Sequence, residues 1–422
     1  MNVASCDCRF FLIISLFLCL GNSTYSMVLD NRYFPWIPHL YTSSDHSHAH
    51  VTTEAFFVTG GDAYRHEDRA EKDKQTISYP ELWGELKLAD VKNSMVKVGL
   101  KDPIPADWQW LSDFRAKMNG SLEGQGVMVG GYVPVTKHIG FGASGLLLRL
   151  NALVNVVPHE ETVSKLFLNT PGNQALFTQT LSNIYKELDI TCTSLKEVGV
   201  GDVVVYFNIY DVHEYRYKMR KIDWGFKGGV IIPSGLKMDP HNLASIPFGG
   251  NGLWGWFIAP YTELELKEDL KFGIQARVTQ RIDKSILSRV PVGKEQPLFA
   301  PIVGDVCVDA GTSFTGSAYF AFEDLRAGFG IQAKYTVTYH EHDTFSAHLE
   351  NTQVKPNFSC MNWRSEWVSE YATIRLFYDV GHDKTWKHRP LVSFTWDIPR
   401  NHIGGKGFAK THRVSLGCTV NF

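Results

Sequence analysis

The chain ends in RVSLGCTVNF, Arg413 to Phe422, and this stretch alternates strictly between two kinds of residue. The apolar set consists of Val414, Leu416, Cys418, Val420 and Phe422, and every residue between them is polar or glycine. A period of two is the pattern of a β-strand with one apolar face and one polar face. Chain ends are usually frayed, so this pattern indicates an end that is held in a sheet. The apolar face belongs either to the core of a soluble sandwich or to a surface that contacts lipid, and the rest of the chain distinguishes the two.

The overall composition argues against a nucleic-acid partner and leaves two kinds of β-protein. The 422 residues fit one large domain or two ordinary ones. The net charge of −2 lacks the basic excess that nucleic acids attract. Aromatic residues make up 13% of the chain and glycines number 36, yet the mean hydropathy is only −0.15. Such values are typical of a soluble β-protein and also of a membrane barrel, in which lipid-facing and lumen-facing residues average out.

The N-terminus has the pattern of a secretory signal peptide. Arg9 precedes the apolar run FFLIISLFLCLG (10–21), and the small residues Thr24 and Ser26 follow it, which predicts cleavage after Ser26. The alternative is a retained anchor, but the run is short for a spanning helix. Removal of residues 1–26 leaves four cysteines, which are too few for a disulfide framework and enough for one bridge. They are Cys192, Cys307, Cys360 and Cys418.

Eleven further segments show the same alternation as the C-terminal one, which gives twelve predicted strands. The twelve are 50–59, 124–135, 139–154, 201–210, 223–232, 253–266, 270–282, 312–322, 328–339, 367–378, 391–398 and 413–422. Their lengths suit tilted strands that cross a bilayer, for which about 9–11 residues suffice. Aromatic residues such as Trp224, Trp254 and Trp396 lie near segment ends, where outer-membrane barrels carry interfacial girdles.

The connections between these segments alternate strictly between short and long. Five are brief, whereas the others are long: 60–123, 155–200, 233–252, 283–311 and 340–366, with a shorter 399–408. Up-and-down membrane barrels have short periplasmic turns and long outer loops, whereas a sandwich has no reason to sort its loops in this way. We therefore predict an all-β fold, an antiparallel transmembrane β-barrel of about twelve strands, with ten to fourteen being compatible. The barrel spans 49–422, follows an N-terminal periplasmic segment at 27–48, and has long extracellular loops with some helix.

The C-terminal residues resemble a known signal. Gram-negative outer-membrane β-barrel proteins end in a pattern that their assembly machinery recognises, and Ser415, Gly417, Val420 and Phe422 match it. Val420 stands where an aromatic residue is more usual. The resemblance implies a bacterial outer-membrane location, with the lipid of that membrane and the barrel-assembly machinery as partners. It implies no particular substrate.

Basic side chains dominate the predicted inner wall. If the polar face of each strand points inward, the wall contains Arg149, Lys227, Lys271, Arg277, Arg281, Lys334, Arg375 and Arg413, with Glu263 and Glu265 among the acidic residues. Rings of basic side chains favour anions in pores. We predict an outer-membrane channel or porin for the passive diffusion or uptake of small solutes, with a mild preference for anions. The alternative is that these charges pair with one another or hydrate a water-filled interior.

Other functions have less support in the sequence. GFGASG (140–145) has the spacing of a dinucleotide fingerprint but lies in an alternating hairpin rather than in a βαβ unit, so we predict no cofactor. DHSHAH (45–50) and YHEHDTF (339–345) show no converging set of metal ligands, so we predict no metal site. Outer-membrane phospholipases carry a His-x-Ser-Asn-Gly pattern that HSH (46–48) does not complete. We therefore assign no catalytic residue and expect no enzyme, although a hydrolase with a Ser/His or Asp/His pair at the rim remains an alternative.

Two further possibilities concern the ends and loops of the barrel. Long-chain fatty-acid transporters are barrels of similar length that fill the lumen with an N-terminal hatch. MVLDNRYFPWIPHLY (27–41) is a candidate for the same role, although it lacks the polar, alanine-rich start of that family. A surface adhesin or structural protein that acts through its long loops is the other alternative, and assembly into a homo-oligomer is left open by the sequence.

Overall fold

Twelve antiparallel strands close into a barrel. The computed structural model describes residues 31–35, 48–66, 76–102, 104, 115–159, 171–215, 220–267, 269–347, 354–382 and 390–422. The predicted signal peptide therefore lies outside the described residues. The barrel strands are β1 (His50–Gly60), β2 (Arg115–Pro134), β3 (Ile139–Pro158), β4 (Val203–Glu214), β5 (Lys221–Ile232), β6 (Gly255–Lys267), β7 (Leu270–Arg281), β8 (Ser313–Arg326), β9 (Phe329–His340), β10 (Trp367–Asp379), β11 (Pro390–Arg400) and β12 (His412–Asn421). Each strand pairs with its neighbour in the chain, so the predicted fold and strand number are confirmed.

The C-terminal strand closes the barrel. β12 pairs with β1 in antiparallel register, with Ala55 opposite Leu416, and with β11 on its other side. The N–H of Phe422 donates to the carbonyl of Ala49 at 2.7 Å. The C-terminal residues are thus held between two strands, and the sheet has no free edge at this seam.

The outer surface of the barrel is apolar and the inner surface largely polar. On β12, Val414 and Leu416 are exposed on the outside, whereas Arg413, Ser415 and Thr419 are buried on the inside. Exposed phenylalanine, isoleucine, leucine and tryptophan side chains continue this belt on the other strands. In hydrocarbon every backbone polar group must find its partner internally, and a closed sheet with an apolar exterior meets that requirement. The protein is therefore a barrel of the bacterial outer membrane. None of the described helices has the length and apolar character needed to cross a membrane.

The two ends of the barrel differ. Five short connections lie at the end that also carries both termini, which we call the turn end, and six longer connections lie at the opposite loop end. The predicted alternation of short and long connections is confirmed. We call the described residues of the six longer connections the loop layer; these connections are 61–114, 159–202, 233–254, 282–312, 341–366 and 401–411.

β2 and β3 extend past the other strands at the loop end. Each has 20 residues, whereas the other ten have between 10 and 14. Toward the loop end of this hairpin, the outer face changes from apolar to polar between two neighbouring cross-strand pairs. Val127 and Leu147 form an apolar pair on the outside, whereas the next pair, Gln125 and Arg149, is polar. Beyond that pair most apolar side chains, such as the buried Leu122 and Val154, point inward toward the loop layer, whereas Leu153 is exposed on the outer face.

This change of sides corrects one prediction. Arg149 is exposed on the outer face of β3, while its neighbours Leu148 and Leu150 are buried inside. The assignment of Arg149 to the lumen is therefore wrong. The rule that polar residues face inward holds only where the outside is lipid, and it reverses where the wall is surrounded by water.

The loop layer forms a compact cover over the loop end. Its helices are α1 (Leu88–Lys97), α2 (Pro171–Glu187) and α3 (Ser359–Ser365), with 3-10 turns at Tyr79–Trp83 and Pro297–Phe299. One small sheet joins the strands Asp62–Tyr64, Thr76–Ser78 and Phe408–Ala409, and another joins Lys284–Val290, Ile302–Asp309 and Thr344–Ser346. The strands Leu86–Lys87 and Ser194–Val200 extend the main sheet beside β2 and β3. Apolar side chains of these elements pack with the inner faces of β2 and β3 into one core.

The sequence predicts some helix in the long loops, because residues 104–118 and residues 171–188, which follow Thr170 as a possible N-cap, have apolar side chains at helical spacing. The two stretches have different outcomes. The helix expected after Thr170 is confirmed as α2. The other was expected over residues 104–118, but Arg115 to Met118 belong to β2, and Met118 is buried on its inner face. Residues 105–114 lie outside the described residues. The helical spacing in this stretch was misleading because alternation begins within it.

Candidate functional site

The barrel strands place most of the predicted lumen residues on the inner face. These residues are Lys227, Lys271, Arg277, Arg281, Lys334, Arg375, Arg413, Glu263 and Glu265. Each lies on a strand whose alternate residues are exposed to the outside, so the period of two fixes its direction. They do not form one uniform ring, and two kinds of surroundings occur among them.

The first group is buried and paired with carboxylates. Lys271 Nζ lies 2.7 Å from Glu323 Oε1 and 3.4 Å from Glu263 Oε1. Arg413 Nη2 lies 2.5 Å from Asp397 Oδ2. Buried charges need such partners because desolvation is costly. These basic residues are therefore largely compensated inside the barrel.

The second group lies against aromatic rings and is less buried. The guanidinium of Arg277 lies 3.8 Å from the centre of the Phe257 ring. The ammonium of Lys227 lies 5.3 Å from the ring centre of Tyr261 and 5.8 Å from that of Tyr206. Cations are attracted to the faces of such rings. These two side chains place positive charge on the β4–β7 side of the interior.

A short N-terminal segment, Asn31–Pro35, lies inside the barrel at its loop end. The side-chain oxygen of Asn31 accepts hydrogen bonds from the N–H groups of Tyr33 and Phe34, at 2.9 and 3.2 Å. Phe34 is buried and packs in the core with Phe56 and Val58 on the inner face of β1. Residues 31–35 belong to the segment 27–48 that was predicted to be periplasmic, and the burial of Phe34 places these five residues in the barrel.

A cavity of about 180 Å³ lies between this segment and the loop layer. Its walls come from the N-terminal segment, from four loop-end connections and from the loop ends of β7, β9 and β10. Most of the lining side chains are apolar, including Trp83, Leu253, Ile286, Leu298, Phe345 and Met361. Concave, mainly apolar sites with a few polar groups are typical of small-molecule binding. This cavity is the candidate functional site.

The rim of the cavity is fixed by a buried ion pair. Arg281 Nη1 at the end of β7 lies 3.1 Å from Asp202 Oδ2 and donates to the carbonyl of Leu253 at 2.8 Å. Asp202 also accepts hydrogen bonds from the N–H groups of Gly235 and Gly250, at 3.2 and 2.8 Å. A side chain at position 250 would collide with the Arg281 guanidinium, so this close approach requires glycine. The pair anchors the connection 233–254 to the barrel.

A second arginine joins three connections of the loop layer. Arg289 is buried, and its guanidinium donates to the carbonyls of Pro240 at 2.6 Å, Ala300 at 2.8 Å and Leu188 at 3.0 Å. Burial lowers the pKa of Arg289 to about 10, so it remains charged at neutral pH. Its role is to hold the walls of the cavity together.

A serine, a histidine and an aspartate meet at the rim. Ser313 Oγ lies 2.7 Å from His340 Nδ1, and His340 Nε2 lies 3.0 Å from Asp343 Oδ1. These are the residue types of a hydrolytic triad. However, Ser313 is buried and is not among the residues that line the cavity, whereas His340 and Asp343 are. A substrate in the cavity would not reach its hydroxyl, so the contacts orient the histidine ring and give no support to hydrolysis.

Arg32 is the least satisfied polar group of the cavity wall. Its side chain is 6% exposed, its Nη1 donates to the carbonyl of Arg364 at 2.7 Å, and its guanidinium lies 4.2 Å from the Trp83 ring centre. Its Nε and Nη2 have no hydrogen-bond partner among the described residues. Burial lowers the pKa of Arg32. A buried guanidinium edge without a partner is costly.

Sequence reasoning missed Arg32, Asp202 and Arg289. Their partners lie far away in the chain, as shown by the 332 residues that separate Arg32 from Arg364. The one available signal was the PFGGNG run (247–252), since closely spaced glycines mark a close backbone approach.

Among the histidines considered for a metal site, His46 lies outside the described residues. No group of three or more histidine, cysteine, aspartate or glutamate side chains suited to a metal ion occurs in the described part of the chain.

Comparisons with known proteins give distant structural similarity. No family model and no curated protein matches the chain. An outer membrane channel from Pseudomonas putida F1 is similar with a TM-score of 0.47 and 10% identity, over 91% of this chain and 100% of that chain. A Pseudomonas aeruginosa FadL homologue has a TM-score of 0.31 and 8% identity, over 89% of each chain. The translocator domain of the autotransporter NalP from Neisseria meningitidis has a TM-score of 0.31 and 9% identity, over 89% and 88%. At this level of similarity nothing about function follows from these proteins.

Proposed function

We propose that the protein is an outer-membrane channel for the uptake of small solutes, which pass from the loop-end cavity into the barrel interior. The observation that carries this proposal is the position of the cavity. Its lining includes Arg281, His340 and Trp367, which are the inward residues at the loop ends of β7, β9 and β10. A solute in the cavity therefore sits directly above the polar interior of the barrel.

The segment Asn31–Pro35 acts as the gate between the two spaces. Asn31, Arg32 and Tyr33 line the cavity, whereas Phe34 and Pro35 face the barrel interior. Among the described residues, the segment is held by polar contacts from Asn31 Nδ2 to Pro247 O at 2.9 Å, from Arg32 Nη1 to Arg364 O at 2.7 Å, and from Trp83 Nε1 to the Tyr33 hydroxyl at 2.9 Å. The N–H of Ala409 also donates to the carbonyl of Arg32 at 3.0 Å. Displacement of the segment would connect the cavity with the interior. This is the role that the N-terminal segment was expected to have by resemblance to a hatch.

The excess of basic over acidic side chains on the inner face supports a mild anion preference. Lys227 and Arg277 lie there against aromatic rings, and Lys271 and Arg413 lie there beside carboxylates. Pore-lining cations lower the energy of an anion in transit. We therefore assign the preference to the β4–β7 side of the interior.

Planar-bilayer conductance of the refolded mature protein tests the channel. Phe34→Asp places a charge against Phe56 and Val58, which weakens the docking of the gate. We expect discrete conductance steps from the unaltered protein and larger or more frequent steps from Phe34→Asp. Val135→Asp, in the exposed turn between β2 and β3, is the matched control and should behave like the unaltered protein. Absence of steps from both the unaltered protein and Phe34→Asp, when each inserts as a folded barrel, would refute a channel.

A second candidate is a closed barrel that acts on a partner through its loops. The paired charges of Lys271 with Glu263 and of Arg413 with Asp397 favour it, because such pairs fill the interior. Adhesion to a surface by cells that produce the protein, in the absence of any conductance, is the result that would select this candidate.

We also propose that Ser415, Gly417, Val420 and Phe422 form the signal for the assembly machinery. Ser415 and Gly417 lie on the inner face of β12, and Phe422 is exposed at the turn end. The signal thus sits on the strand that closes the barrel against β1. An assembly factor that holds this strand would control closure.

A further inference from the structure

The outer face of the β2–β3 hairpin and of the short strand beside it has two positive charges where the apolar belt ends. Arg149 is exposed and occupies the next outward position after Leu147, an exposed residue of the belt, along β3 toward the loop end. Lys196 lies on the strand Ser194–Val200, which pairs with β3 on the side opposite β2. Leu195 is buried in the core of the loop layer, so the exposed Lys196 next to it points outward. Both cations therefore face the surroundings of the barrel and not its interior.

The strand register makes these two cations neighbours. Val198 stands opposite Arg149, and Lys196 stands opposite Asn151, which is the next outward residue of β3. Arg149 and Lys196 are therefore diagonal neighbours on one face, with backbone positions about 7–8 Å apart, which is within reach of long side chains. Neither forms an ion pair with another described residue. A small anionic group between them would contact both charges.

Basic residues outnumber acidic ones on this outer face beyond the belt. The outward residues of the three strands, from the Gln125–Arg149 pair toward the loop end, include one carboxylate, Glu123, and four cations, Arg115, Lys117, Arg149 and Lys196. Arg115 lies 3.7 Å from Glu85, and Glu197 belongs to the opposite face with Leu195. The face therefore keeps a positive charge that suits an anionic partner.

The hydrocarbon layer ends at the level of Arg149. On the neighbouring strands β1 and β12, Phe57 and Val414 are exposed residues of the belt that stand opposite each other. The next outward residues toward the loop end are the polar Thr59 and His412. Charged side chains are costly in hydrocarbon, whereas the headgroup layer at its edge contains water and anionic groups that attract basic side chains. The two cations thus lie at the depth of the lipid headgroups.

We propose that Arg149 and Lys196 bind the phosphate of a lipid headgroup in the leaflet at the loop end, with an acyl chain of that lipid against the exposed Leu147 and Val198. A guanidinium matches phosphate oxygens in a bidentate geometry, and Lys196 adds a second charge. Because the inner faces of β2 and β3 form one core with the loop layer, the bound lipid would hold both the hairpin and the cover at a fixed depth. This site does not depend on the proposed channel.

Native mass spectrometry of the full mature protein, refolded in a neutral detergent, tests the proposal. The probes are dioctanoyl phosphatidic acid and dioctanoylglycerol, which has the same chains and no phosphate. We expect saturable retention of phosphatidic acid and roughly tenfold weaker retention of dioctanoylglycerol. The double variant Arg149→Gln and Lys196→Gln should bind phosphatidic acid roughly tenfold more weakly, because two cations beside the headgroup are lost.

The double variant Lys137→Gln and Arg326→Gln is the matched control, since it removes the same two kinds of charge at the turn end, where both side chains are exposed. It should bind phosphatidic acid like the unaltered protein. All variants are compared as folded barrels, identified by their heat-dependent shift on gels. Equal retention of the two lipids, or equal binding by the two double variants, would overturn the proposal. Displacement of phosphatidic acid by an excess of inorganic phosphate would also overturn it, because the site would then recognise a free anion and not a lipid.

Discussion

Removal of Arg281 should release the connection 233–254 from the barrel. The pair of Arg281 and Asp202 is buried, with Asp202 wholly inaccessible to solvent. Loss of one partner from a buried pair leaves an uncompensated charge and costs about 3–5 kcal/mol. Since each 1.4 kcal/mol is a factor of ten, Arg281→Met should favour local opening by at least roughly a hundredfold. Gly235 and Gly250 donate to Asp202, so their amide protons report this opening directly.

Hydrogen exchange measured by mass spectrometry on this connection is the assay. Arg281→Met should accelerate exchange at Gly235 and Gly250 by about a hundredfold. The double variant with Asp202→Asn should recover most of the protection, because no buried charge is left without a partner. Arg326→Met, an exposed arginine at the turn end, is the control. Protection in Arg281→Met that matches the control would refute the anchoring role of this pair.

Three further results are expected. Replacing Lys227 and Arg277 together by glutamine should shift the reversal potential in a salt gradient toward cation selectivity. Arg149→Gln should not, because that side chain lies on the outer face. Unchanged selectivity in the double variant would contradict the anion preference. Burial lowers the pKa of His66 from 6.5 to about 4, so between pH 6.5 and 4 the unfolded loop layer binds more protons than the folded one. The stability of the folded loop layer should therefore fall as the pH drops through this range. His66→Phe should remove this acid sensitivity, measured by limited proteolysis. Phe422→Ala should reduce the amount of folded barrel in outer membranes and Phe422→Tyr should not, and equal amounts from both variants would speak against the assembly signal.

The strands were predictable because each strand of a membrane barrel contacts two different solvents. Lipid outside and a polar interior impose a period of two, which the chain shows from β1 to β12. The last strand illustrates this, since Val414 and Leu416 are outside and Arg413 and Ser415 inside. Arg149 was predicted to face the lumen, but it faces outward, because polar residues face outward where the strand is surrounded by water instead of lipid. Sequence periodicity shows which residues share one face of a strand, but it does not show how deep in the membrane a residue lies.

The candidate site was not predictable for a different reason. Arg32, Trp83 and Arg364 come from three parts of the chain, and their contacts obey no period. The cavity arises where connections of different lengths fold over one another. Burial of Phe34 places the N-terminal segment against Val58, and only the folded barrel supplies that surface. Local sequence patterns therefore locate the wall of the barrel but not the segment that lies inside it.

The reversal of the apolar face between the pair Val127–Leu147 and the pair Gln125–Arg149 divides the molecule into two parts with different driving forces. Above this level the apolar core of the loop layer is excluded from water, as in a soluble domain, and urea weakens such a core. Below it the strands are surrounded by hydrocarbon, where water and urea are scarce. A moderate concentration of urea should therefore unfold the cover while the barrel stays closed in its bilayer. The cover would refold on dilution without reinsertion, so one embedded molecule can be switched between a covered and an uncovered barrel by changing the solvent alone.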